Sequence, residues 1–336
     1  MSTDKPHKTL IIDAHMISLF RDCEEKYNKR INQLLVTKKS NGAMGSGIAF
    51  HEGVATYRQM RKVENRADFA FNGGLYKLRE AYKREMPPEF TNDLSACPDE
   101  RRSLPNLERV FEAFIEYEEM QKFEYLYIEQ SMAISLGSIE RPNVIWDIVY
   151  AGIVDAIVKQ QGAIFVDDLK TTTMNISQPY KDGFRLSQAM KGYVVGMKSL
   201  LKEEIYGAMI SIAWLQKEAK SGKGKPLSEY FHTVPLTFTP DQLDEWHSNT
   251  LRTINKVILA TEQDDWQLAF SSACTYYSGC TFKEVCWATP GSRERVIEMD
   301  FERKTWTPLE EVRSKAVSEE EWKRLLVRRS IGGDDE

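Results

Sequence analysis

The stretch AGIVDAIVKQQGAIFVDDLKTTT, residues 151–173, decides how this chain is read. Its two apolar, β-branched runs are separated by the short turn KQQG, which predicts a pair of consecutive strands. Three charges interrupt the second run: Asp167, Asp168 and Lys170. A buried charge is costly without a partner, so their place in a core strand needs a reason. Side chains alternate along a strand, which puts Asp168 and Lys170 on one face and Asp167 on the other. Asp155 lies on the first strand. A turn with an even number of residues pairs Asp155 with Asp168, whereas an odd loop with a bulge brings it level with Asp167.

Two carboxylates and a lysine converging on one face have a defined chemical use. Hard divalent cations such as Mg²⁺ or Mn²⁺ take carboxylate oxygens and complete their shell with water and substrate phosphate. The metal acidifies a bound water and offsets charge on the phosphorus oxygens. A neighbouring lysine positions that water or stabilises the transition state. The reaction class is metal-assisted phosphodiester hydrolysis. The same charges would also serve a structural ion pair between Lys170 and one aspartate at a strand end.

The rest of the chain is that of an ordinary folded protein. At 336 residues it can bury one large core, and its 42% apolar and 28% charged residues are unexceptional. Lys and Arg number 45 against 50 Asp and Glu, a formal charge of -5. This argues against a wholesale basic coat for nucleic acid but leaves room for a local basic groove. No apolar stretch is long enough to span a bilayer, and MSTDKPHKTLIIDAHMI lacks a signal-peptide layout, so a cytoplasmic protein without membrane contact is expected.

Upstream, ISLFRDCEEKYNKRINQLL reads as one helix with Ser18 as cap, and Ser46 is placed to cap a second helix carrying IAFHEGVATYRQM. Residues 87–106 read as a long loop, and LERVFEAFIEYEEM as a helix with a stripe of Leu107, Val110, Phe111, Phe114 and Tyr117. FEYLYIEQSMAISL and NVIWDIVYAGIVDAIV read as strands. The helix LSQAMKGYVVGMKSLLKEE, two more strands at YGAMISIAWL and FHTVPLTFT, and a long helix opened by Thr239, Pro240 and Gln242 complete the core. TPLEEV and SEEEWKRLLVRR read as helix starts, followed by a GGDDE tail expected to be disordered. The sum is an α/β fold: a mixed central β-sheet flanked by helices, with helical N- and C-terminal additions.

The central stretch resembles the core of the PD-(D/E)XK nuclease superfamily, in its RecB-like branch. Gly152 and Asp155 match the first element of that pattern, and Asp168, Lys170 and Thr171 the second. Glu129 in LYIEQSM resembles the glutamate that opens the strand set, and LSQAMKGYVVGM resembles the family's Gln-to-Tyr helix. GSGIAFHEGV resembles the helix that supplies the histidine of the histidine-containing subclass. The resemblance implies a restriction-endonuclease-like core. It implies a metal site of His51, Asp155, Asp168 and Leu169, with Lys170 acting on the attacking water and Gln188 and Tyr193 near the substrate strand. It further implies a nuclease domain over residues 1–290, with its core at about 125–240 and cysteine-bearing flanks at 15–35 and 270–290, and an appendage over 291–336.

Cys274, Cys280 and Cys286 cluster near the C-terminus, and a zinc ion or iron–sulfur cluster needs a fourth ligand from Cys23 or Cys97. Some RecB-like nucleases, AddB and the CRISPR-associated adaptation nucleases among them, carry a [4Fe–4S] cluster held by one cysteine before the core and three after it. LFRDCEEKYNKR resembles the leading helix, which implies Cys23 as the first ligand and leaves Cys97 over; CTFKEVC matches the closing pair. The first trailing gap departs from the pattern, with Tyr277 where a cysteine is usual. Zinc or free buried thiols are the alternatives.

The expected activity is therefore a Mg²⁺- or Mn²⁺-dependent deoxyribonuclease. The histidine subclass leans towards exonuclease action on DNA ends, in recombination, repair, phage DNA metabolism or CRISPR adaptation. A non-catalytic DNA-binding or assembly module on the same fold is the alternative. Lys38, Lys39, Lys217, Lys220, Lys223 and Lys225 are the candidate phosphate contacts. With no P-loop in the chain, any unwinding would fall to a helicase or recombination partner.

Overall fold

The structure, a computed structural model, describes residues 5–38, 42–63, 66–92, 97–201, 203–217, 226–275, 279–306, 308 and 326–327. Its strands are β1 (His7–Ile12), β2 (Leu35–Thr37), β3 (Glu124–Glu140), β4 (Ile145–Gln160), β5 (Ala163–Thr172), β6 (Ile205–Trp214), β7 (Phe231–Thr237), β8 (Phe301–Arg303) and β9 (Leu326–Val327). The helices are α1 (Ala14–Asp22), α2 (Glu24–Tyr27), α3 (Gly42–Val63), α4 (Ala67–Glu85), α5 (Pro88–Asn92), α6 (Leu104–Gln121), α7 (Gln178–Gly183), α8 (Gln188–Leu201), α9 (Leu227–Tyr230), α10 (Pro240–Gln263), α11 (Lys283–Trp287) and α12 (Arg293–Asp300).

The main sheet runs in the order β7-β6-β5-β4-β3-β9, with β1 also paired to β4. It is mixed. The β3–β4, β4–β5 and β6–β7 pairs are antiparallel, while β5–β6 is parallel and is joined by a crossover through α7 and α8. The fold is thus α/β with a helix-flanked mixed sheet, as expected. One face carries α1, α8 and α10, which bury Met16, Met190, Val194, Trp246 and Ile254 against Tyr150, Val154, Ile157 and Val166 of the sheet. The other carries α3, α4 and α6, which bury Phe50, Val54, Leu78, Phe111 and Phe114 with Leu169 and Ala213.

Two details position the site. Gln161 and Gly162 alone join β4 to β5, both with positive φ (51° and 87°), the left-handed pair of a two-residue hairpin turn. On that side of β4, β1 pairs as far as Tyr150 and β5 pairs from Ala156 onward. Residues 151–155 therefore lie at a fork between the two partner strands.

Several expectations change. Helix α1 begins at Ala14, capped by Asp13, whose carboxylate accepts from the Met16 N–H at 2.6 Å, so Ser18 lies inside it. The chain then leaves helical geometry at Cys23 (φ -170°, ψ 123°) before α2 and a π-helical turn at Asn28–Asn32. Helix α3 starts at Gly42, and Ser46 is buried within it, donating to the Ala43 carbonyl. The 87–106 loop contains α5 and a 3₁₀ turn at Glu100–Arg102, and α4 and β1 are elements that the periodicity did not reveal. The Thr239–Gln242 capping box is formed. TPLEEV, most of SEEEWKRLLVRR and the GGDDE tail lie outside the described residues, but Leu326 and Val327, expected to be helical, pair with Ala133 and Ile134 as β9. Past residue 290, Ile297 and Phe301 pack with Leu35, Phe282 and Val285, and β8 pairs with β2. Among the described residues no helix is long and apolar enough to cross a membrane.

Helices α3 and α4 meet through glycines. A Cβ on Gly74 would stand 2.8 Å from the Gly53 carbonyl oxygen and 2.8 Å from Phe111 Cζ, too close for either to remain in place. Gly74→Ala is expected to cost ~1–3 kcal/mol of unfolding free energy, read by urea denaturation. An unchanged midpoint would show that the two helices part without cost.

Candidate active site

The hairpin answers the parity question left open by the sequence. With two turn residues, Gln160 faces Ala163 and the ladder runs without a shift to Ala156 opposite Asp167. The next step in that register sets Asp155 against Asp168. There the backbone ladder gives way to a side chain: the Leu169 N–H donates to Asp155 Oδ2 at 2.7 Å. The carboxylate takes the place of a main-chain acceptor where β4 and β5 part. Across β4, Glu129 of β3 has φ 48°, and the β3–β4 pairing passes from Ile128–Ala156 to Gln130–Val154 around it. Both neighbours of β4 are thus irregular at the level of Asp155.

Lys170 Nζ lies 2.6 Å from Asp168 Oδ2, on the face that strand alternation assigned to both. Helix α3 brings His51 Nδ1 to 3.7 Å from Asp155 Oδ2. Helix α8 supplies Tyr193, whose ring would touch a Cβ on Gly152, and Gln188, whose Oε1 is buried without a hydrogen-bond partner. Leu169 itself is a core side chain, so any ligand role left to it is a main-chain one. Asp167 faces away, fully buried, with Ser211 Oγ donating to its Oδ1 at 2.6 Å and Arg58 Nη1 forming an ion pair with its Oδ2 at 2.8 Å.

The family model described as PD-(D/E)XK nuclease superfamily matches residues 14–287. The chain belongs to the PD-(D/E)XK nuclease superfamily. No curated protein matches the sequence. Among solved structures, the chain is similar to a candidate exonuclease from Eubacterium rectale, at 12% identity and a TM-score of 0.45, covering 80% of this chain and 88% of that one. It is also similar to SSO0001, at 14% identity and a TM-score of 0.28, covering 62% and 80%.

The electrostatics of this candidate site separate its two aspartates. Burial pushes Asp168 up most strongly; Lys170 opposes this, the Asp155 charge adds to it, and the balance stands at about 6. Burial also acts upward on Asp155, but His51, Lys170 and the Leu169 N–H outweigh it and hold that carboxyl below its ordinary value. Burial lowers Lys170, yet the two carboxylates more than restore it, and the ammonium is held protonated. Burial and the same two carboxylates keep the Tyr193 phenol protonated. The two carboxylates offer hard oxygen donors of the kind that Mg²⁺ or Mn²⁺ takes, and the His51 imidazole beside Asp155 is a softer, borderline nitrogen donor. Among the described residues no three His, Cys, Asp or Glu side chains stand as a ready-made metal cage.

The four cysteines implied as cluster ligands, Cys23, Cys274, Cys280 and Cys286, all line one cavity of about 240 Å³. The break in the helix at Cys23 puts that residue in the cavity wall, where its Sγ reaches the Gln267 carbonyl at 3.8 Å. The Cys280 N–H closes the loop by donating to the Cys274 carbonyl at 2.9 Å. Burial raises the Cys286 thiol; Lys29 opposes this, and Cys280 and Cys23 add to it. All four are free thiols, and Cys97 is buried elsewhere, in the core between the sheet and α3, α4 and α6. Tyr277 lies outside the described residues.

The lysines expected at phosphate are partly engaged. Lys38 Nζ donates to the Glu298 and Met299 carbonyls at the end of α12, and Lys217 pairs with Glu100 at 2.5 Å. Lys39, Lys220, Lys223 and Lys225 lie outside the described residues. The sequence reading overlooked Arg58 and Glu118, which share the buried charge network of Asp167. The adjacent aspartates were the available signal, because one of the two must face the core and need a cation there.

Asp168 sits above its ordinary value when folded, so its contribution to stability is full at low pH and is lost as pH rises through about 6. Asp155 sits below its ordinary value, so its contribution is present at neutral pH and lost on acidification. Urea unfolding at pH 7.5 without divalent metal should therefore show Asp168→Asn raising stability by ~1 kcal/mol. Asp155→Asn should lower it. The reverse order would show that the two carboxyls have been assigned the wrong environments.

Proposed function

We propose that this chain is a metal-dependent deoxyribonuclease acting on DNA ends. The observation that carries the reading is the cluster at the strand fork, with the Leu169 N–H donating to Asp155, Lys170 2.6 Å from Asp168 and His51 3.7 Å from Asp155. Asp155, Asp168 and His51, with the main chain of Leu169, would hold Mg²⁺ or Mn²⁺. When bound, such an ion acidifies a coordinated water and offsets charge on the phosphorus oxygens. Lys170 stays protonated between the carboxylates and is placed to orient the attacking water and to stabilise the transition-state oxygens. Gln188 offers an unpaired amide oxygen and Tyr193 a protonated phenol on the α8 side, both as contacts to the substrate strand. The Leu169 N–H fixes the rotamer of Asp155 before any ligand arrives.

Exonuclease action and a role in recombination, repair or phage DNA metabolism follow from the RecB-like resemblance and the His51 helix. The intact carboxylate–lysine set favours this over a non-catalytic DNA-binding module, and a helicase would have to be a separate protein. Labelled single- and double-stranded DNA incubated with Mn²⁺ or Mg²⁺ tests the reading. Wild type should cleave, Lys170→Ala and Asp168→Asn should lose ~100-fold or more, and Asp167→Asn should be much milder. No cleavage with either metal would refute the nuclease proposal.

The cysteine cavity supports a [4Fe–4S] cluster on Cys23, Cys274, Cys280 and Cys286. Four cysteines from well-separated parts of the chain line one cavity, and sulfur is the ligand that such clusters use. Anaerobically prepared protein should be brown, with visible charge-transfer absorbance that Cys23→Ala abolishes. A colourless protein holding one equivalent of zinc would assign the same thiols to Zn²⁺ instead.

A further inference from the structure

Beneath the candidate active site lies a second charged cluster, fully enclosed, that the nuclease reading does not use. Arg58 of α3 is 1% exposed, Glu118 of α6 2%, Asp167 of β5 0% and Ser211 of β6 2%. Arg58 donates through Nε to Glu118 Oε1 at 2.8 Å, with Nη2 on the same oxygen, and Nη1 stands 2.8 Å from Asp167 Oδ2. Ser211 Oγ donates to Asp167 Oδ1 at 2.6 Å, and the guanidinium lies 5.9 Å from the Tyr125 ring centroid. One cation of α3 is therefore held both by α6 and by the strand carrying Asp168.

Burying three charges is a poor way to gain stability, because desolvation consumes most of the Coulombic attraction. Such a network is better understood by what it holds in place. Arg58 follows His51 by seven residues, two helical turns, so both lie on one stripe of α3 about 20° apart. At one end of that stripe His51 meets Asp155; at the other Arg58 meets Asp167, the neighbour of Asp168. Apolar packing against Leu169 and Ala213 holds α3 on the sheet but resists sliding weakly, since hydrophobic contact is non-directional. A planar guanidinium forked between two fixed carboxylates does resist it.

We infer that Arg58 is a positioning residue: it locks the register of α3 against β5 and so sets His51 over the Asp155–Asp168 pair. The inference rests on the metal-site reading above. Asp167 then has a use of its own. It is the strand's half of the lock, which explains why two adjacent aspartates stand on opposite faces of β5.

The test is Mn²⁺ affinity of the full-length chain, measured by electron paramagnetic resonance at a temperature where circular dichroism shows every variant folded. Affinity among folded molecules does not follow from stability alone, so a merely structural Arg58 would leave it unchanged. The charge-neutral pair Arg58→Met with Glu118→Gln is expected to bind Mn²⁺ at least tenfold more weakly than wild type. Glu118→Gln alone, which keeps the Arg58–Asp167 pair, should bind within twofold of wild type. Should the double variant fail to fold, Arg58→Lys replaces it, with at least threefold weaker binding expected because a compact ammonium on a flexible stem lacks the rigid planar fork that fixes the register. Wild-type affinity in a folded Arg58 variant overturns the positioning role and leaves the metal site standing. A wild type that binds no Mn²⁺ overturns both.

Discussion

The two-residue turn at Gln161 and Gly162 is the constraint on which the site depends. Because side chains alternate along strands, one residue more or less in that turn would exchange the faces of every side chain on β5. Asp168 and Lys170 would enter the packed interior below α3, and Asp167 would meet Asp155. The turn has this effect because β4 is held in place independently, by β1 over Ile145–Tyr150 and by β3 along most of its length. The chemistry is thus set by hairpin geometry before any ligand side chain interacts with another.

The fork beyond the hairpin explains how polar groups survive so near the core. When two strands part, the amides and carbonyls left between them must be satisfied or hydrated. Asp155 meets that demand by accepting the Leu169 N–H, and its charge then sits among donors and cations instead of in apolar surroundings. Asp168 has only Lys170 against burial and the neighbouring Asp155 charge, so it remains the carboxyl that is harder to ionise. The site holds unfavourable electrostatics in one residue and favourable electrostatics in its neighbour, as expected where a function other than folding selects the residues.

Much of this was legible in the sequence because it follows from local rules. Alternation fixed the shared face of Asp168 and Lys170, the β-branched runs marked β3 to β6, and Thr239 with Gln242 marked the start of α10. What escaped depends on partners far along the chain. β1 is six residues with one buried side chain, and it becomes a strand only because β4 offers an edge. The end of α1 at Cys23 is invisible to periodicity, because Leu19, Tyr27 and Ile31 keep their helical spacing across the break. Arg58 reads as one more polar position on a helix until α6 and β5 close over it.

The break at Cys23 also connects the two ends of the chain to the site. Past it, the Glu25 N–H donates to the Gln267 carbonyl at 3.2 Å, and the Gln267 N–H reaches back to Glu24 Oε2 at 3.3 Å. Ahead of it, Arg21 donates to Thr253 Oγ1 on α10 at 3.0 Å and 3.1 Å, so α1 is pinned to the helix that follows β7. α1 and α10 in turn share the core with Met190 and Val194 of α8, the helix that presents Gln188 and Tyr193. Hydrogen bonds are directional and apolar packing is not, so the polar clasp at Cys23 sets where α1 lies, and packing passes that placement on to α8. A group bound by the four thiols would act on the same clasp, and its binding would thereby be coupled to the placement of α8.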